Sequence, residues 1–337
     1  MKKILKKVMI MALALAVAVG AMAFLTGCGG DFDPTSNIAV FHRELGSGTR
    51  EVIVERITGT QEAITTNASA AIAQGTEEVN TNVSGNRHAI SYESVAIIGD
   101  SVRALSFNGV APTQQNVING TYALSRDFVL IARHDAPFAT TGGVQGAFYS
   151  FINSSNAREL TNNLGPVYNT ERNAATTTFV PTVIGTQQLR ITGSTSMTQI
   201  GTWLASAFAA AMNTLDGNSI TYYVAATGSG AGRTIGFYRT LASDAPAVDF
   251  HFGMASASLG ANFLNTEHAD FIPNHITFAL DAVAIIVHPS NPLTNITTEQ
   301  ARRIFVGYRG DNDVTGSATN AHVRAWRWEE LFPALVA

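Results

Sequence analysis

The sequence of 337 residues is poor in charge and in lysine. Only 14% of its residues are charged, and all of its lysines lie within the first seven positions. From Cys28 onward, 17 arginines stand against 25 acidic residues, which gives that part of the chain a formal charge of −8. Because an acidic surface repels polyphosphate backbones, we expect no nucleic-acid partner. A hydrophobic fraction of 46% excludes a disordered chain.

Cysteine and several catalytic signatures are also scarce or missing. Cys28 is the sole cysteine, which excludes an internal disulfide and any site made of several thiolates. Without lysine past the amino terminus, neither the phosphate-binding loop GxxxxGK[ST] nor an SxxK nucleophile is present. GxSxG and HExxH are absent as well, and the eight histidines show no metal-ligand spacing. We therefore predict that the protein is not an enzyme and that it holds no metal and no cofactor.

The amino terminus has the pattern of an export signal. Residues 2–7 are basic, and residues 8–25 are apolar except for Gly20. This run of 18 residues is also long enough to span a bilayer. Hydropathy alone therefore leaves a retained membrane anchor open.

The residues that end this run favour cleavage. Leu25-Thr26-Gly27-Cys28 resembles the bacterial lipoprotein box, in which small residues precede a cysteine that receives a diacylglycerol. The alternative for Cys28 is a buried free thiol. The resemblance implies a signal peptide over residues 1–27, a lipidated Cys28 that begins a tether over residues 28–37, and a mature protein that acyl chains anchor to the extracytoplasmic face of the cell membrane.

Three predicted strands each end in a turn of glycine and hydroxyl residues that leads into a helix start. The strand at 37–41 precedes Ser47-Gly48-Thr49 and a helix over 51–57, the strand at 188–191 precedes residues 192–196 and a helix over 200–212, and the strand at 221–225 precedes residues 227–232 and a helix from Arg233. We also predict strands at 89–92, 127–132 and 279–288, helices at 143–152 and 298–305, and loops at 165–183 and 307–322. This alternation predicts an α/β fold.

Each of these turns is a candidate receptor for an oxyanion, since the first backbone N–H groups of a helix have no partner within it. Hydroxyl groups add donors, and Arg43, four residues before Ser47, is placed to close a guanidinium over the same ligand. A serine or threonine before a helix is more often only a cap, so each turn alone keeps that interpretation open. Three turns and an arginine together favour one shared anion site.

The segment Arg43-Glu44-Leu45-Gly46-Ser47-Gly48-Thr49 resembles the RxxGSGT signature of the phosphate-binding proteins of ABC-type phosphate importers, the PstS family. Four later stretches of this chain resemble the segments that follow the signature in the family, namely residues 89–92, 102–113, 120–126 and 146–154. Five stretches further on resemble the family's amino-terminal half, namely residues 191–196, 228–232, 252–256, 281–289 and 304–307. The resemblance therefore implies a circular permutation over nearly the whole mature chain, with a gene fragment or fusion as the alternative.

The resemblance also implies the architecture, a two-domain fold of the type II periplasmic-binding-protein kind in permuted order. One domain would combine residues 38–125 with residues 286–337, and the other would run continuously over residues 126–285. A hinge of two crossing strands, near 125–132 and 284–289, would join the domains.

A set of anion-binding residues follows from the same resemblance. One domain would contribute Arg43, Ser47, Gly48 and Thr49, and the other would contribute Ser196, the backbone of Met197 and Ser229. Two positions depart from the family. Ala257 stands where some members have an aspartate that accepts the proton of hydrogen phosphate. Leu45 replaces an acid beside the arginine, so we expect Glu44 to hold Arg43 instead.

The function implied is that of a monomeric, lipid-anchored solute-binding protein that captures inorganic phosphate and delivers it to the membrane subunits of an ABC permease. One alternative is a binding protein for another tetrahedral oxyanion, such as sulfate or molybdate, which Ala257 keeps open. The other is a surface sensor or adhesion lipoprotein that keeps the fold without transport.

Overall fold

Strands and helices alternate along the residues that the computed structural model describes, which are 31–58, 70–133, 142–163, 167–168, 177–234, 250–257, 275–305 and 327–335. The strands are β1 (Ala39–Arg43), β2 (Ala71–Ala73), β3 (Ala89–Ser94), β4 (Arg103–Ala104), β5 (Ser106–Phe107), β6 (Ser125–Ala132), β7 (Val167–Tyr168), β8 (Thr186–Gly193), β9 (Ser219–Ala226), β10 (Phe252–Ala255), β11 (His275–Val287) and β12 (Asn295–Ile296). The helices are α1 (Gly48–Ile53), α2 (Thr76–Ser84), α3 (Gln114–Ile118), α4 (Gly143–Ile152), α5 (Ser155–Asn163), α6 (Thr198–Met212), α7 (Ser229–Thr234) and α8 (Thr298–Phe305). A π-helical turn, Val54–Thr58, continues α1, and 3-10 turns lie at Val95–Ile97, Thr195–Met197, Trp328–Glu330 and Pro333–Leu335.

One mixed sheet follows the order β2-β1-β3-β11-β6-β10-β8-β9. At one end β1 is parallel to both β2 and β3, and at the other end β8 is parallel to both β10 and β9. We call β2, β1 and β3, with α1 and α2, the β1 lobe, and we call β10, β8 and β9, with α4 to α7, the β8 lobe. In each lobe, the carboxyl ends of the parallel strands lie at a common edge of the sheet. The turn into α1 begins at this edge in the β1 lobe, and the turns into α6 and α7 begin at it in the β8 lobe.

Two strands, β6 and β11, connect the lobes. Residues 283–287 of β11 pair with β3, and residues 275–282 pair with β6, in both cases antiparallel. The register shifts between Thr277 and Ala279. Both strands are long apolar runs with most residues buried, as expected where helices cover both faces of a sheet. β6 has the bounds predicted for the first crossing strand, whereas β11 overlaps the second, predicted near 284–289, only over residues 284–287 and begins much earlier.

The β8 lobe has a core rich in phenylalanine. The ring of Phe148 in α4 lies 5.3 Å from that of Phe208 in α6 and 5.4 Å from that of Phe252 in β10, measured between centroids. All three side chains are buried. Edge-to-face and tilted aromatic pairs of this kind add to the free energy gained by burying their area. This core therefore holds α4 and α6 against the sheet.

Phe148→Ala is expected to lower the free energy of unfolding by about 3–5 kcal/mol, because it removes a buried ring and leaves a cavity among the rings that surround it. Chemical denaturation measures this loss. Trp203→Ala is the matched control, since Trp203 is 42% exposed on α6 and its loss is expected to cost about 1 kcal/mol or less. Equal losses in the two variants would contradict the assignment of the core.

The helix predicted from Arg233 begins earlier than expected, at Ser229, and contains Gly230 and Gly232. In the sequence, these glycines predict a turn. In the structure, a Cβ added at Gly232 would lie 2.1 Å from the carbonyl oxygen of Met254 in β10. This glycine is therefore required by the close approach of a helix to a strand, and a single sequence does not distinguish that role from a turn.

Most other predicted elements are confirmed. Helices 143–152 and 298–305 match the structure at both ends, and the predicted strands lie within the observed ones with two exceptions. The strand predicted at 37–41 is displaced by two residues, and the one predicted at 279–288 begins four residues earlier and ends one residue earlier. Residues 307–322, most of 165–183, and both Cys28 and Trp326 lie outside the described residues. Within the described ranges, no helix combines the length and the apolar composition needed to cross a membrane.

Segments near the two ends of the chain meet in space. Asn37 and Arg327 form an isolated antiparallel bridge, and the backbone N–H of Glu329 donates to the carbonyl of Pro34 at 3.0 Å. Trp328, between Arg327 and Glu329, is fully buried, and Phe305 and Phe332 are buried too.

Candidate functional site

The three predicted turns converge at one place between the lobes. The hydroxyl of Thr49, at the start of α1, lies 2.9 Å from the hydroxyl of Ser196, just before α6. The hydroxyl of Ser229, at the start of α7, lies 3.2 Å from that of Ser256, which follows β10. All four side chains are buried. Turns far apart in the sequence therefore build one polar cluster, which we call the hydroxyl cluster.

Ser47 and Gly48 bring α1 into this cluster. Ser47 is the N-cap of α1, and its hydroxyl accepts from the backbone N–H of Arg50 at 3.4 Å. A Cβ added at Gly48 would lie 2.7 Å from Oγ of Ser256 and 2.8 Å from its carbonyl oxygen. Only a residue without a side chain permits the β1 lobe to approach the β8 lobe this closely.

Ser256 is the centre of the cluster and is not among the predicted binding residues. Its hydroxyl accepts from that of Ser194 at 2.8 Å, and its backbone N–H donates to the hydroxyl of Ser229 at 3.1 Å. The sequence singled out residues 252–256 only through the family resemblance. Its neighbour Ala257 is buried and carries no acceptor group, as the sequence indicates.

Arg126 supplies a cation to the hydroxyl cluster and was also missed. Its Nη1 donates to the hydroxyl of Thr49 at 2.8 Å and to that of Ser256 at 3.3 Å. Its Nε and Nη2 donate to one carboxylate oxygen of Asp281, at 2.9 Å and 2.8 Å. Arg126 is the second residue of β6 and Asp281 lies within β11, so the pair joins the two connecting strands.

A signal for this pair was present in the sequence. Asp281 stands alone in an apolar run, and a charge inside a buried strand needs a partner of opposite sign. Burial lowers the pKa of Arg126, and the neighbouring carboxylate of Asp281 opposes that shift. The guanidinium nonetheless stays charged, since the ordinary pKa of arginine is far above neutrality.

Arg43 lies at the margin of the hydroxyl cluster. Its Nε and Nη2 each donate to a carboxylate oxygen of Glu44 at 2.8 Å, which confirms that Glu44 holds it. Its Nη2 also donates to the hydroxyl of Thr195, beside Ser196, at 2.6 Å. Burial acts to lower the pKa of Arg43, but the hydrogen bond to Glu44 and the nearby carboxylates outweigh it and raise the pKa.

Met197 is buried at the start of α6, and its backbone N–H, the group predicted to bind the anion, is bonded within the turn. Its side chain is fully buried in the hydrophobic core of the β8 lobe. Its backbone N–H donates to the carbonyl of Ser194 at 3.1 Å, and the residue is the N-cap of α6. The chain is thus fixed at the point where the helix begins.

Two further contacts join the lobes beside the hydroxyl cluster. The backbone N–H of Gly230 donates to the carbonyl of Gly46 at 2.9 Å. Arg233 of α7 pairs with Glu51 of α1 through both nitrogens, with Nη1 at 2.7 Å from Oε1. The described structure is therefore a closed arrangement of the two lobes.

The chemistry of the cluster suits an oxyanion. Hydroxyl groups can donate or accept, and a guanidinium donates in a fixed plane that matches the oxygens of phosphate or a carboxylate. The starts of α1, α6 and α7 add the positive ends of helix dipoles. Such an environment replaces the water shell of an anion with fixed dipoles.

The chain was compared with known proteins. A family model described as PBP superfamily domain matches residues 31–156 and 173–323. The chain is 27% identical over 302 residues to Phosphate-binding protein PstS 2 of Streptococcus pneumoniae serotype 4 strain TIGR4, covering 86% of this chain and 94% of that protein. It is 24% identical over 313 residues to Phosphate-binding protein PstS 2 of Streptococcus agalactiae serotype V strain 2603 V/R, covering 90% and 97%.

A solved structure shares the fold. It is the crystal structure of a phosphate ABC transporter, phosphate-binding protein from S. pneumoniae TIGR4, with a TM-score of 0.56 and 25% sequence identity. The match covers 78% of this chain and 93% of that chain. The predicted α/β fold of the type II periplasmic-binding-protein kind and the resemblance to PstS proteins are confirmed. Since the matched segments make up most of the sequence, this chain belongs to the family of the PBP superfamily domain.

Proposed function

We propose that the protein is an extracytoplasmic solute-binding protein that captures inorganic phosphate and delivers it to an ABC permease. The observation that carries this proposal is the convergence of three hydroxyl-bearing turns from both lobes on one cluster, in which Arg126 donates to the hydroxyls of Thr49 and Ser256. Relatives named phosphate-binding protein PstS and the phosphate-binding protein of known structure support phosphate as the ligand. The protein binds its ligand and catalyses no reaction.

The predicted binding residues keep their roles in this proposal. Those of the β1 lobe are Arg43, Ser47, Gly48 and Thr49, and those of the β8 lobe are Ser196, Met197 through its backbone, and Ser229. We add Arg126, Ser256 and Ser194, because they bond directly to Thr49, Ser229 and Met197 of this set, respectively. The hydroxyls bond one another in the closed arrangement, so an entering anion takes over those bonds. Entry then requires the lobes to part, with β6 and β11 as the hinge.

The domain limits and the order of the segments are part of the proposal. Residues 38–125 with 286–337 form one domain, and residues 126–285 form the other, in the permuted order that the resemblance to the family's signature segments implies and that the relatives named PstS 2 share. The meeting of Asn37 with Arg327 supports the permutation, because a connection that joined these ends in an ancestral order would need to span little distance. Each lobe has its own parallel strands, β1 with β3 and β8 with β9, and the turns after their carboxyl ends lead into the hydroxyl cluster. This arrangement fits a division into two domains with the site between them.

The location is proposed from the amino terminus. A signal peptide over residues 1–27 directs export, and acyl chains on Cys28 hold the protein at the outer face of the cell membrane. The tether predicted over residues 28–37 is shorter than expected, because Pro34 and Asn37 bond to the segment at 327–329. We place the tether before Pro34, where it leaves the binding lobes free to reach the permease. The protein acts as a monomer.

Calorimetric titration of the mature chain with phosphate and with sulfate tests the ligand. We expect phosphate to bind with micromolar affinity or tighter, and Arg43→Ala to weaken binding by about tenfold or more, because it removes a buried guanidinium that reaches Thr195. Arg327→Ala is the control, since that side chain is 54% exposed at the meeting of the chain ends.

The alternative ligand is another tetrahedral oxyanion, and Ala257 is the observation that favours it. A carboxylate at that position accepts the proton of hydrogen phosphate and repels sulfate, and here a buried methyl group stands in its place. Preference for sulfate in the titration would establish this alternative. Binding of neither anion would favour a surface module without transport.

A further inference from the structure

Glu93 in β3 is a buried carboxyl group with an unusual hydrogen-bond pattern. Its side chain is fully buried. One oxygen, Oε1, accepts from the backbone N–H of Ser94 at 2.9 Å and from the hydroxyl of Thr76 at 3.4 Å. The other, Oε2, has no hydrogen-bond partner among the residues that the structure describes. A buried acceptor without a partner costs free energy, and the cost is largest when the group is charged.

Two neighbouring carboxylates differ from Glu93 in this respect. Glu44 accepts from Arg43 on both of its oxygens. Asp281 accepts from Arg126 on one oxygen and from a backbone N–H on the other. Glu93 lies 3.9 Å from Nη1 of Arg43, which is an ion-pair distance but too long for a hydrogen bond. Of these three carboxylates, Glu93 is therefore the one with an oxygen that can take a proton without losing a hydrogen bond.

One guanidinium separates Glu93 from the hydroxyl cluster. Arg43 lies beside Glu93 through Nη1 and donates to Thr195 through Nη2. Thr195 precedes Ser196, whose hydroxyl contacts that of Thr49. A charge placed in the cleft and a charge on Glu93 therefore act on the same cation.

The charged groups around the pair of Glu93 and Arg43 balance when Glu93 is ionised. Arg43 on β1, Arg126 on β6 and Asp281 on β11 act on Glu93, and Glu44 beside β1 and Arg50 on α1 bond to Arg43. On α2, which packs on β3, Thr76 faces Glu93, whereas Glu77 and Glu78 are exposed to solvent. The formal charge of this set is zero with Glu93 ionised and +1 with Glu93 protonated. The protonated form is the better host for a doubly charged anion.

Burial also places the titration of Glu93 in a useful range. Desolvation raises the pKa of Glu93 to about 7, against the opposing charge of Arg43. A second negative charge in the cleft would raise the pKa further, because like charges favour the protonated carboxyl.

We propose that Glu93 couples anion binding to proton uptake: Oε2 takes one proton from solvent as a doubly charged anion enters the cleft, and returns it to solvent when the anion leaves. This inference rests on the proposed function. By linkage, a proton on Glu93 raises the affinity for the dianion by the same factor by which the dianion raises the affinity for the proton. Glu93 is thus a positioning residue that acts through Arg43 and sets the pH range of tight binding.

Glu93→Gln tests the coupling, since glutamine has the shape of the protonated carboxyl and no charge. Calorimetric titration with phosphate at pH 8, in two buffers of different ionisation enthalpy, measures the protons taken up per anion. The wild type and the variant bind the same phosphate, so the protons that phosphate itself gains or loses cancel when the proton uptake of the two proteins is compared. We expect the wild type to take up more protons, by up to one, and the variant to bind up to about tenfold more tightly at pH 8, with the gap closing at pH 6.

Glu77→Gln is the matched control, because it makes the same chemical change on an exposed residue of α2 and is expected to leave both quantities unchanged. Equal proton uptake and parallel pH profiles, with phosphate bound by both proteins, would overturn the coupling alone. Absence of binding to every variant would reject the proposed function and the coupling together.

Two further measurements test the coupling, and the first needs no variant. Infrared difference spectra of the wild type, with and without phosphate, are expected to show the band of a newly protonated carboxyl, and its absence would overturn the proposal. Where Glu93→Gln folds, the free energy of unfolding of the anion-free wild type, relative to that variant, is expected to fall as the pH rises from about 4.5 to about 7. The native state then holds a proton that the unfolded state has released, which fixes the sign of the change. A difference that does not change with pH would contradict the proton on Glu93.

Discussion

Gly48→Ala is expected to lower the affinity for phosphate by about 100-fold or more while both lobes remain folded. A Cβ at this position would lie 2.7 Å from Oγ of Ser256 and 2.8 Å from its carbonyl carbon and oxygen. The hydroxyl can rotate away, but the carbonyl cannot move without shifting the end of β10. The lobes would therefore stop short of the closed arrangement, and the hydroxyls of Thr49 and Ser196 would not reach the same anion.

Titration calorimetry measures the affinity, and small-angle X-ray scattering with and without phosphate reports closure. Gly142→Ala is the matched control, because Gly142 also stands at a helix start and a Cβ there would meet nothing within 4 Å. Its affinity and its scattering change are expected to equal those of the wild type. Wild-type affinity in Gly48→Ala would show that the closed arrangement is not the binding state.

Arg126→Met is expected to abolish measurable phosphate binding and to destabilise the fold. The substitution removes the cation that contacts both Thr49 and Ser256, and charge-assisted bonds are the strongest that the site offers. It also leaves the carboxylate of Asp281 buried without its partner, which costs about 3–5 kcal/mol. Thermal and chemical unfolding measure the second effect separately from the first.

A double variant separates the two effects. Arg126→Met with Asp281→Asn removes both charges of the pair, so most of the lost unfolding free energy is expected to return. Phosphate binding is not expected to return, because the guanidinium is still missing. Recovery of binding in the double variant would show that Arg126 serves stability alone and would remove it from the site.

Local patterns were enough to place most of the elements. The apolar spacing of residues 143–152 and 298–305 predicts two helices that the structure shows at the same bounds. The turns that follow β1, β8 and β9 were recognisable because glycine, serine and threonine cluster where a strand gives way to a helix. The same reasoning placed the start of α7 four residues late, because Gly232 is set by its packing on Met254 and not by a turn.

The charged part of the site was less visible. Arg43 stood out through the family signature, yet in the structure Nε and Nη2, which form one edge of its guanidinium, both donate to the carboxylate of Glu44. Arg126 carried no motif of its own, and its role depends on the antiparallel register that sets it opposite Asp281 in the sheet. Arg126 and Asp281 are 155 residues apart, and the local pattern of either strand does not predict the register in which the two strands pair.

The sequence by itself determined the alternation of strands and helices, the hydroxyl turns at three helix starts, and the absence of lysine from everything past the amino terminus. These follow from periodicity and composition, which depend on neighbours within a few residues. Only the tertiary structure decided that the turns share one cluster, that Ser256 lies at its centre, and that Glu93 keeps one oxygen without a partner among the described residues. Those facts depend on how distant strands pair and how the lobes meet, because burial and hydrogen-bond partners are properties of contacts that the chain makes only when folded.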